Sequence, residues 1–253
     1  MARSFRRNCR GQVIVVTALL VALIFLSTAM YVIEIEKETP TVQSNDGVPI
    51  DSYQNSVRSS LVSALANISA GGNPSILASD LAQLKSVILA HSYESQLTLD
   101  YTLFNNSGYS NGVLISWNST GNGISSVYAL VSCTSLSQHG SSAVSYAVNI
   151  TSRIYVTGYF TRINNTHNQV NLVINLTSES GPMLAERFVF GYFNSNQWVT
   201  ETSPTIINYG NGTYDVTFVA TTGPKIKTLD ISTLSLDNRG TTVCANVTCN
   251  IIV

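Results

Sequence analysis

The sequence predicts a mainly β protein that begins with one membrane-spanning helix and a short helical pair. Three observations lead to this prediction. An uncharged apolar run lies near the N-terminus, two stretches with helical spacing of apolar residues follow it, and from Gln96 onward apolar residues alternate with polar ones. A period near 3.6 residues is typical of amphipathic helices, and a period of two is typical of half-buried strands.

Charged residues are scarce, since 13 basic and 14 acidic side chains make up only 11% of the 253 residues. An ordinary soluble domain has about 25%. No residue from Tyr101 to Ser152 is charged. The chain therefore lacks the basic surface that nucleic acid requires, and it has no run of like charges that would form an interaction tail. Its 44% apolar and 9% aromatic residues also exclude a disordered chain.

Residues 1–10 contain four arginines and are predicted to form a cytoplasmic tail. Residues 11–33 carry no charge, and 18 of these 23 residues are apolar. A helix of this length spans the hydrocarbon core of a bilayer, which is about 30 Å thick. Acidic residues follow at Glu34, Glu36 and Glu38, and this charge asymmetry places the C-terminal part outside the membrane. We therefore expect the lipid bilayer as a partner.

The later fate of this helix has three alternatives. The helix stays as a signal-anchor, or a signal peptidase removes it after the small-x-small sequence Ser27-Thr28-Ala29. The third alternative rests on Arg10-Gly11-Gln12, which resembles the archaeal class III signal of type IV pilin-like proteins. That resemblance implies cleavage after Gly11, a mature chain that starts at Gln12, and a helix that remains in the membrane or in a filament core. Many members carry a Glu where this chain has Val16.

Residues 34–50 form a predicted linker, because Pro40, Gly47 and Pro49 break helices. A helical pair is predicted over 51–92, with Gly71-Gly72-Asn73-Pro74 between the helices and Asn73 as the cap of the second. We expect their apolar stripes to pack within the chain, and oligomerisation along that face is the alternative. The stripes are Val57, Leu61, Leu65 and Ile68, then Leu77, Leu81, Leu84 and Ile88.

Many short strands with Gly- and Asn-rich turns predict one large or two small antiparallel β-sandwiches. We favour two domains, 95–178 and 183–253, with a break near Glu179-Ser180-Gly181-Pro182. The candidate strands are Leu97–Leu103, Val113–Trp117, Ser126–Cys133, Val144–Phe160, Val170–Leu176, Arg187–Phe193, Tyr214–Val219 and Thr228–Leu236.

The stretch Asn211-Gly-Thr-Tyr-Asp-Val-Thr-Phe218 resembles a strand of immunoglobulin-like modules in bacterial and archaeal surface proteins. The resemblance implies an immunoglobulin-like fold, in which Tyr214 packs at a corner and its hydroxyl bonds to the backbone. The layout of the whole chain also resembles archaeal secreted proteins. Because such modules serve many functions, the motif predicts fold and not activity.

Eight N-x-S/T sequons follow the predicted membrane helix, on its outer side, and each is a candidate glycosylation site. Three of the four cysteines lie on the same side, where disulfides persist. The spacing of Cys244 and Cys249 predicts a bridge that closes a four-residue loop, and a bridge from Cys133 to either one is the alternative. The sequon asparagines are Asn67, Asn105, Asn118, Asn149, Asn164, Asn175, Asn211 and Asn246.

No catalytic residue, metal site or cofactor is predicted, because the three histidines lie far from one another in the sequence. Five aromatic residues cluster between Phe188 and Trp198. Phe188, Phe190 and Tyr192 alternate and are expected to face the core. Trp198 is the candidate residue for an aromatic binding platform.

Three functions follow from these patterns. The first is a non-enzymatic single-pass cell-surface protein with a glycosylated ectodomain. The second is a type IV pilin-like filament subunit, in which the chain binds copies of itself. The third is a module that binds envelope glycans or a solute. Nucleic acid is excluded as a partner.

Overall fold

The computed structural model describes residues 50–91, 96–137, 140–224 and 226–252. These residues all belong to one compact unit, Val48–Val253. The predicted tail at 1–10, the membrane helix at 11–33 and the linker up to residue 49 lie outside the described residues. Among the residues that are described, no helix combines the length and the apolar character needed to cross a membrane.

Two helices open the described chain, α1 at Ile50–Ser69 and α2 at Ile76–His91. Seven of the eight predicted stripe residues are buried, and Leu84 is partly buried against the same core. The stripes are therefore confirmed as packing surfaces within the chain. The backbone N–H of Ser75 donates to Asn73 Oδ1 at 2.9 Å, which confirms Asn73 as the cap of α2.

Twelve strands follow, so the protein is mainly β as predicted. Each of the eight predicted strands overlaps an observed one. The strands are β1 at Gln96–Leu103, β2 at Val113–Trp117, β3 at Asn122–Ser137, β4 at Gly140–Arg162, β5 at His167–Ser178, β6 at Gly181–Pro182, β7 at Ala185–Asn194, β8 at Gln197–Glu201, β9 at Thr205–Asn208, β10 at Thr213–Thr221, β11 at Thr228–Asp237 and β12 at Thr242–Ile251.

The strands form one hydrogen-bonded sheet with the order β8-β7-β11-β12-β4-β5-β10-β9. β3 pairs with β4 and carries β1 and β2 on its other side, and β6 pairs with β5. The sheet is mixed and not purely antiparallel as predicted, because β12 and β4 run parallel where Asn250 and Ile251 meet Tyr159 and Phe160. The 23-residue strand β4 pairs with β3 along its first part and with β5 along its second.

Two hydrophobic cores lie against this sheet. In the helix-backed core, α1 and α2 cover one face of β1, β3 and the first half of β4, and Leu61 and Ile150 are fully buried there. The all-β core joins the second half of β4 to β5, β7 and β10–β12. Within it the ring of Phe188 in β7 lies 4.9 Å from that of Tyr214 in β10. Four strands separate β7 from β10 in the sheet order, so the sheet folds back on itself.

The predicted domain break at Glu179-Ser180-Gly181-Pro182 does not coincide with the division between the cores. That segment contains the turn after β5 and the short strand β6, and β5 before it pairs with β10 after it. The division instead falls inside β4, since Ile150 belongs to the helix-backed core and Ile154 to the all-β core. A Ser-Gly-Pro sequence signals a chain reversal, and it carries no information about which strands pair afterwards.

The turn between β2 and β3 is inserted between β12 and β4. The N–H of Asn246 donates to Asn118 O at 3.0 Å, and the N–H of Gly121 donates to Asn246 O at 2.8 Å. Gly121 O accepts in turn from the N–H of Val156 at 2.7 Å. Gly121 has φ +81°, and a Cβ there would lie 2.1 Å from Val156 O, so this contact requires glycine. The inserted turn explains why β12 and β4 pair only at their ends.

Candidate functional site

Two grooves open on the outer faces of the strands that form the all-β core. The Trp198 groove lies on β7, β8, β11 and β12 and has a volume of about 300 Å³. The Tyr159 groove lies on β4, β5 and β10 and has a volume of about 470 Å³. Because side chains alternate between the faces of a strand, both grooves are lined mainly by residues that point away from the core.

The Trp198 groove contains the one residue for which the sequence suggested a binding role. Trp198 is 50% exposed, and its ring contacts Phe193 edge to face at 5.4 Å. Polar groups come from Ser232, Cys244 and Asn246, which also line the groove. The groove therefore offers an aromatic surface beside hydroxyl, thiol and amide groups.

The alternating aromatic residues of β7 behave as predicted. Phe190 and Tyr192 are buried in the all-β core, and Phe188 packs against it. Phe190 and Tyr192 both face Phe218 of β10, at ring distances of 6.1 and 6.4 Å. Three of the five clustered aromatic residues thus stabilise the fold, which leaves Phe193 and Trp198 on the surface.

The Tyr159 groove was missed by sequence analysis. Thr217 Oγ1 donates to Asn171 Oδ1 at 3.2 Å, and the Tyr209 hydroxyl donates to Asp215 Oδ2 at 2.6 Å. That bond and the charge of Asp215 raise the pKa of Tyr209. Among the described residues, Asn171 Nδ2 and Asp215 Oδ1 have no hydrogen-bond partner, so the groove that Tyr159 lines contains an available donor and an available acceptor. The sequence feature that could have indicated this groove is the alternation of Asn with apolar residues in β5.

The predicted bridge between Cys244 and Cys249 is wrong, and all three described cysteines are free thiols. Both residues lie in β12, five positions apart, which corresponds to about 17 Å along a strand. An odd separation also places them on opposite faces, whereas a disulfide requires Cα atoms within about 7 Å. The alternative bridge from Cys133 to Cys244 or Cys249 is wrong as well, since all three thiols are free and Cys133 lies in the helix-backed core whereas β12 carries the other two.

The thiols are held in their neutral form. Burial raises the pKa of Cys133. Burial, together with the charge of Asp230, raises that of Cys249 to about 12. Burial also raises the pKa of Cys244, although its contact with the Ser232 hydroxyl acts in the opposite direction. Because the thiolate is the reactive form, these residues act as packing groups and not as nucleophiles.

Six of the eight sequon asparagines are exposed, and they are spread over both cores. Asn175 and Asn246 are half-buried in β5 and β12. In three of the exposed sequons the third residue bonds to the asparagine. Thr120 Oγ1 donates to Asn118 Oδ1 at 2.9 Å, Thr151 Oγ1 donates to Asn149 Oδ1 at 2.9 Å, and Thr166 Oγ1 donates to Asn164 Oδ1 at 3.3 Å. The exposed asparagines are Asn67, Asn105, Asn118, Asn149, Asn164 and Asn211.

An ionic cluster around Arg239, which has no counterpart in the sequence predictions, joins the two cores. Its guanidinium donates to Asp237 Oδ2 at 3.1 Å and to both Glu179 oxygens at 3.0 and 3.1 Å. Arg58 of α1 also pairs with Glu179. The four residues come from positions up to 181 apart in the chain, so no local pattern reveals the cluster.

Glu179 is the perturbed member of this cluster. Burial by itself raises the pKa of Glu179, but hydrogen bonds from the N–H groups of Thr151 and Glu179 and from Arg239 outweigh burial and hold the pKa below its ordinary value. The carboxylate is fully engaged by these donors and lies outside both grooves. We therefore assign the cluster a structural role.

Other titratable groups do not converge in the part of the chain that the structure describes. No group of three or more His, Cys, Asp or Glu side chains there is arranged to hold a metal ion. His167 bonds to its neighbours Asn164 and Thr166, while His139, Gly11 and Gln12 lie outside the described residues. No protein-family model matches the chain, and no curated protein matches it significantly.

Proposed function

We propose that the protein is a non-enzymatic single-pass cell-surface protein. The apolar helix at 11–33 anchors it in the membrane, and residues from about 50 onward are displayed outside as a glycosylated ectodomain. We further propose that the ectodomain is an immunoglobulin-like β-sandwich of archaeal type. We assign no catalytic residue, metal or cofactor.

The exposure of the sequon asparagines is the observation that carries this proposal. Six of the eight side chains are accessible to a modifying enzyme in the folded unit. They are distributed over turns, a helix and a strand, so that attached sugars would cover much of the surface. Such a coat would keep in solution a surface that has few charged groups.

The sandwich interpretation is supported by the contacts between β7 and β10. Phe188 and Tyr214 meet across the core although their strands are distant in the sheet order. Tyr214 is also buried, and its hydroxyl accepts a hydrogen bond from the N–H of Ala185 at 2.8 Å. This hydroxyl-to-backbone bond is the one that the immunoglobulin-like resemblance implied for Tyr214.

Protease treatment of intact cells tests the proposed topology. We expect peptides from 50–253 to be released or degraded while the N-terminal tail stays protected, and glycopeptide mass spectrometry should find sugars on several of the six exposed asparagines. Full protection of 50–253 in intact cells with digestion after lysis would contradict the proposal.

A type IV pilin-like filament subunit is the second candidate, and Arg10-Gly11-Gln12 favours it. Reading the mature N-terminus separates the candidates. A start at Gln12 supports the filament subunit, an intact N-terminus supports the anchor, and a start at Met30 contradicts both.

The third candidate is an envelope module that binds glycans or a solute through the Trp198 groove. The half-exposed indole is the observation in its favour. A glycan array with the wild-type ectodomain and with Trp198→Ala tests it, because binding through this groove should be lost in the variant. Equal binding by both proteins would contradict this candidate.

A further inference from the structure

The outer face of β4 and β5 brings aromatic rings and amide groups together in rows. Tyr155 of β4 is paired in register with Asn175 of β5, and Tyr159 is paired with Asn171. Directly paired residues have Cβ atoms about 4.5–5.5 Å apart, so each tyrosine lies beside an amide. Tyr155 and Tyr159 are 46% and 41% exposed. Val173 lies between the two asparagines and is also exposed.

The chemistry of this face fits a neutral carbohydrate. A tyrosine ring offers an apolar surface to the C–H groups of a sugar, and amide and carboxylate groups bond to its hydroxyls. The unpartnered Asn171 Nδ2 supplies a donor beside Tyr159, and Asp215 Oδ1 supplies an acceptor in the neighbouring row, where Asp215 is paired with Val173. Arg153 and Asp215 are the charged residues on the described outer rows of β4, β5 and β10, so a strongly charged ligand has little to bind.

A glycosylation sequon lies on the same face. Asn175 Oδ1 accepts a hydrogen bond from Thr213 Oγ1 of β10 at 2.9 Å, and its Nδ2, the atom that receives a sugar, has no partner among the described residues. Asn175 and Asn171 are four positions apart in β5, which corresponds to about 13 Å. A short oligosaccharide on Asn175 therefore reaches the Tyr159 groove without leaving the face.

The position of this sequon also favours an attached glycan over a free polysaccharide as the bound carbohydrate. Sugar attached to Asn175 would occupy the surface beside Tyr155 and restrict the approach of a free polysaccharide to Tyr159. The exposed sequon asparagine Asn211 lies in the turn before Thr213, at the same end of the face. An attached glycan is thus the occupant that the arrangement favours.

We propose that the Tyr159 groove binds the chain's own glycan, which is attached to Asn175. This inference rests on the proposed function, because it requires an extracellular, glycosylated protein. In the attachment, Nδ2 bonds to the anomeric carbon, the bond between that carbon and the phosphate of a lipid-linked donor breaks, and the amide proton passes to the departing phosphate. The sugar chain then runs past Tyr155 and stacks on Tyr159.

Hydroxyl-radical footprinting of the protein from its native host tests the inference. Thr177→Ala removes the sequon but leaves Asn175 and the groove residues unchanged, and Thr177 is exposed at the edge of the face. We expect Tyr159 to be oxidised several-fold more slowly in the wild type than in Thr177→Ala. Trp198 lies in the other groove and is the internal control, with equal oxidation in both proteins.

The outcomes separate this inference from the proposed function. Sugar on Asn175 with equal oxidation of Tyr159 in both proteins overturns the inference alone, and so does sugar on other sequons with Asn175 bare. An absence of sugar from all eight sequons overturns both proposals.

A second measurement does not depend on footprinting. If the glycan stacks on Tyr159, Thr177→Ala should lower the thermal unfolding temperature of the wild type, and the same substitution should have a much smaller effect in a Tyr159→Ala background. Trp198→Ala is the matched background on the other groove and should retain the full effect. Equal effects in all three backgrounds would overturn the stacking.

Discussion

The helix-backed core and the all-β core are constructed differently although they share strand β4. In the helix-backed core, Leu and Val side chains of two helices pack on one face of a sheet. In the all-β core, two parts of the same sheet face each other through aromatic rings, including Phe190 and Phe218. One strand serves both cores because its even-numbered side chains point to one face, where Ile150 packs in the helix-backed core and Ile154 packs in the all-β core.

This difference teaches that the contacts between the two cores matter as much for stability as the packing within each core. Besides β4, several contacts cross the division. The β2–β3 turn lies between β12 and β4, and the Arg58–Glu179–Arg239 contacts link α1 to the turns after β5 and β11. We therefore expect the two cores to unfold as one cooperative unit.

Truncation of one large side chain in each core tests this expectation and has the largest expected effect. Phe190→Ala should lower the free energy of unfolding by about 3–5 kcal/mol, and Leu61→Ala by about 2–5 kcal/mol, because both side chains are fully buried. Amide hydrogen exchange should report lost protection in both cores for each variant. Loss confined to the core that carries the substitution would mean that the cores unfold independently.

Substitution of Gly121 tests the inserted turn. Gly121→Ala should lower the free energy of unfolding by about 3 kcal/mol, because the new Cβ would overlap Val156 O and force the turn away from β4. Gly210→Ala is the matched control, since Gly210 has a similar φ of +76° but open space around it. The control should cost only about 1–2 kcal/mol in chemical denaturation. Equal effects would mean that the loss of stability comes from the backbone conformation alone and not from the contact with Val156.

Removal of the Glu179 charge tests the ionic connection. Glu179→Gln should lower the free energy of unfolding by about 2 kcal/mol at neutral pH, because charged hydrogen bonds to Arg239 and Thr151 are weakened. The lowered pKa of Glu179 means that its stabilisation is present above the ordinary value of 4.5 and is lost as the pH falls through the folded-state pKa.

The difference between wild type and Glu179→Gln should therefore shrink below about pH 4.5. Glu186→Gln is the control, because Glu186 is exposed and has no charged partner among the described residues. Denaturant titrations at several pH values measure both variants. A difference that stays constant down to acidic pH would contradict the ionic connection.

The smallest expected effect concerns the hydroxyl of Tyr214. Tyr214→Phe should lower the free energy of unfolding by about 1 kcal/mol, because the N–H of Ala185 loses its acceptor while the ring packing is kept. Thermal unfolding measures the change, and Tyr209→Phe on the exposed surface is the control. Identical stability of wild type and Tyr214→Phe would mean that the bond between Ala185 N–H and the Tyr214 hydroxyl does not stabilise this core.

Local patterns predicted the elements that depend on neighbouring residues. Helical spacing gave both helices and their buried stripes, Asn73 gave the cap, and period-two alternation gave eight of the twelve strands. Tyr214 was assigned a structural role from an eight-residue motif, and its burial and its bond to Ala185 confirm that role.

The features that sequence analysis did not predict correctly all involve residues that are distant in sequence or a pattern with two interpretations. β12 was predicted as a loop closed by a disulfide, because the spacing of Cys244 and Cys249 was interpreted as a bridge although apolar residues alternate from Val243 to Ile251. The Arg239 cluster and the Tyr159 groove are assembled by strand register, which the sequence does not specify. Asn171 and Asp215 each look like ordinary solvated residues until β5 and β10 pair.

The position of β12 has a consequence for folding kinetics. Its residues include Thr242, whose N–H bonds to Ser69 Oγ across 173 positions and whose carbonyl accepts from Ser125 Oγ across 117. The all-β core is not complete until this late segment pairs with β11 and the β2–β3 turn, because Val243, Ala245 and Cys249 belong to that core. When residues this far apart in the sequence come together, conformational entropy is lost before the stabilising contacts form. Refolding is therefore expected on the millisecond-to-second scale or slower.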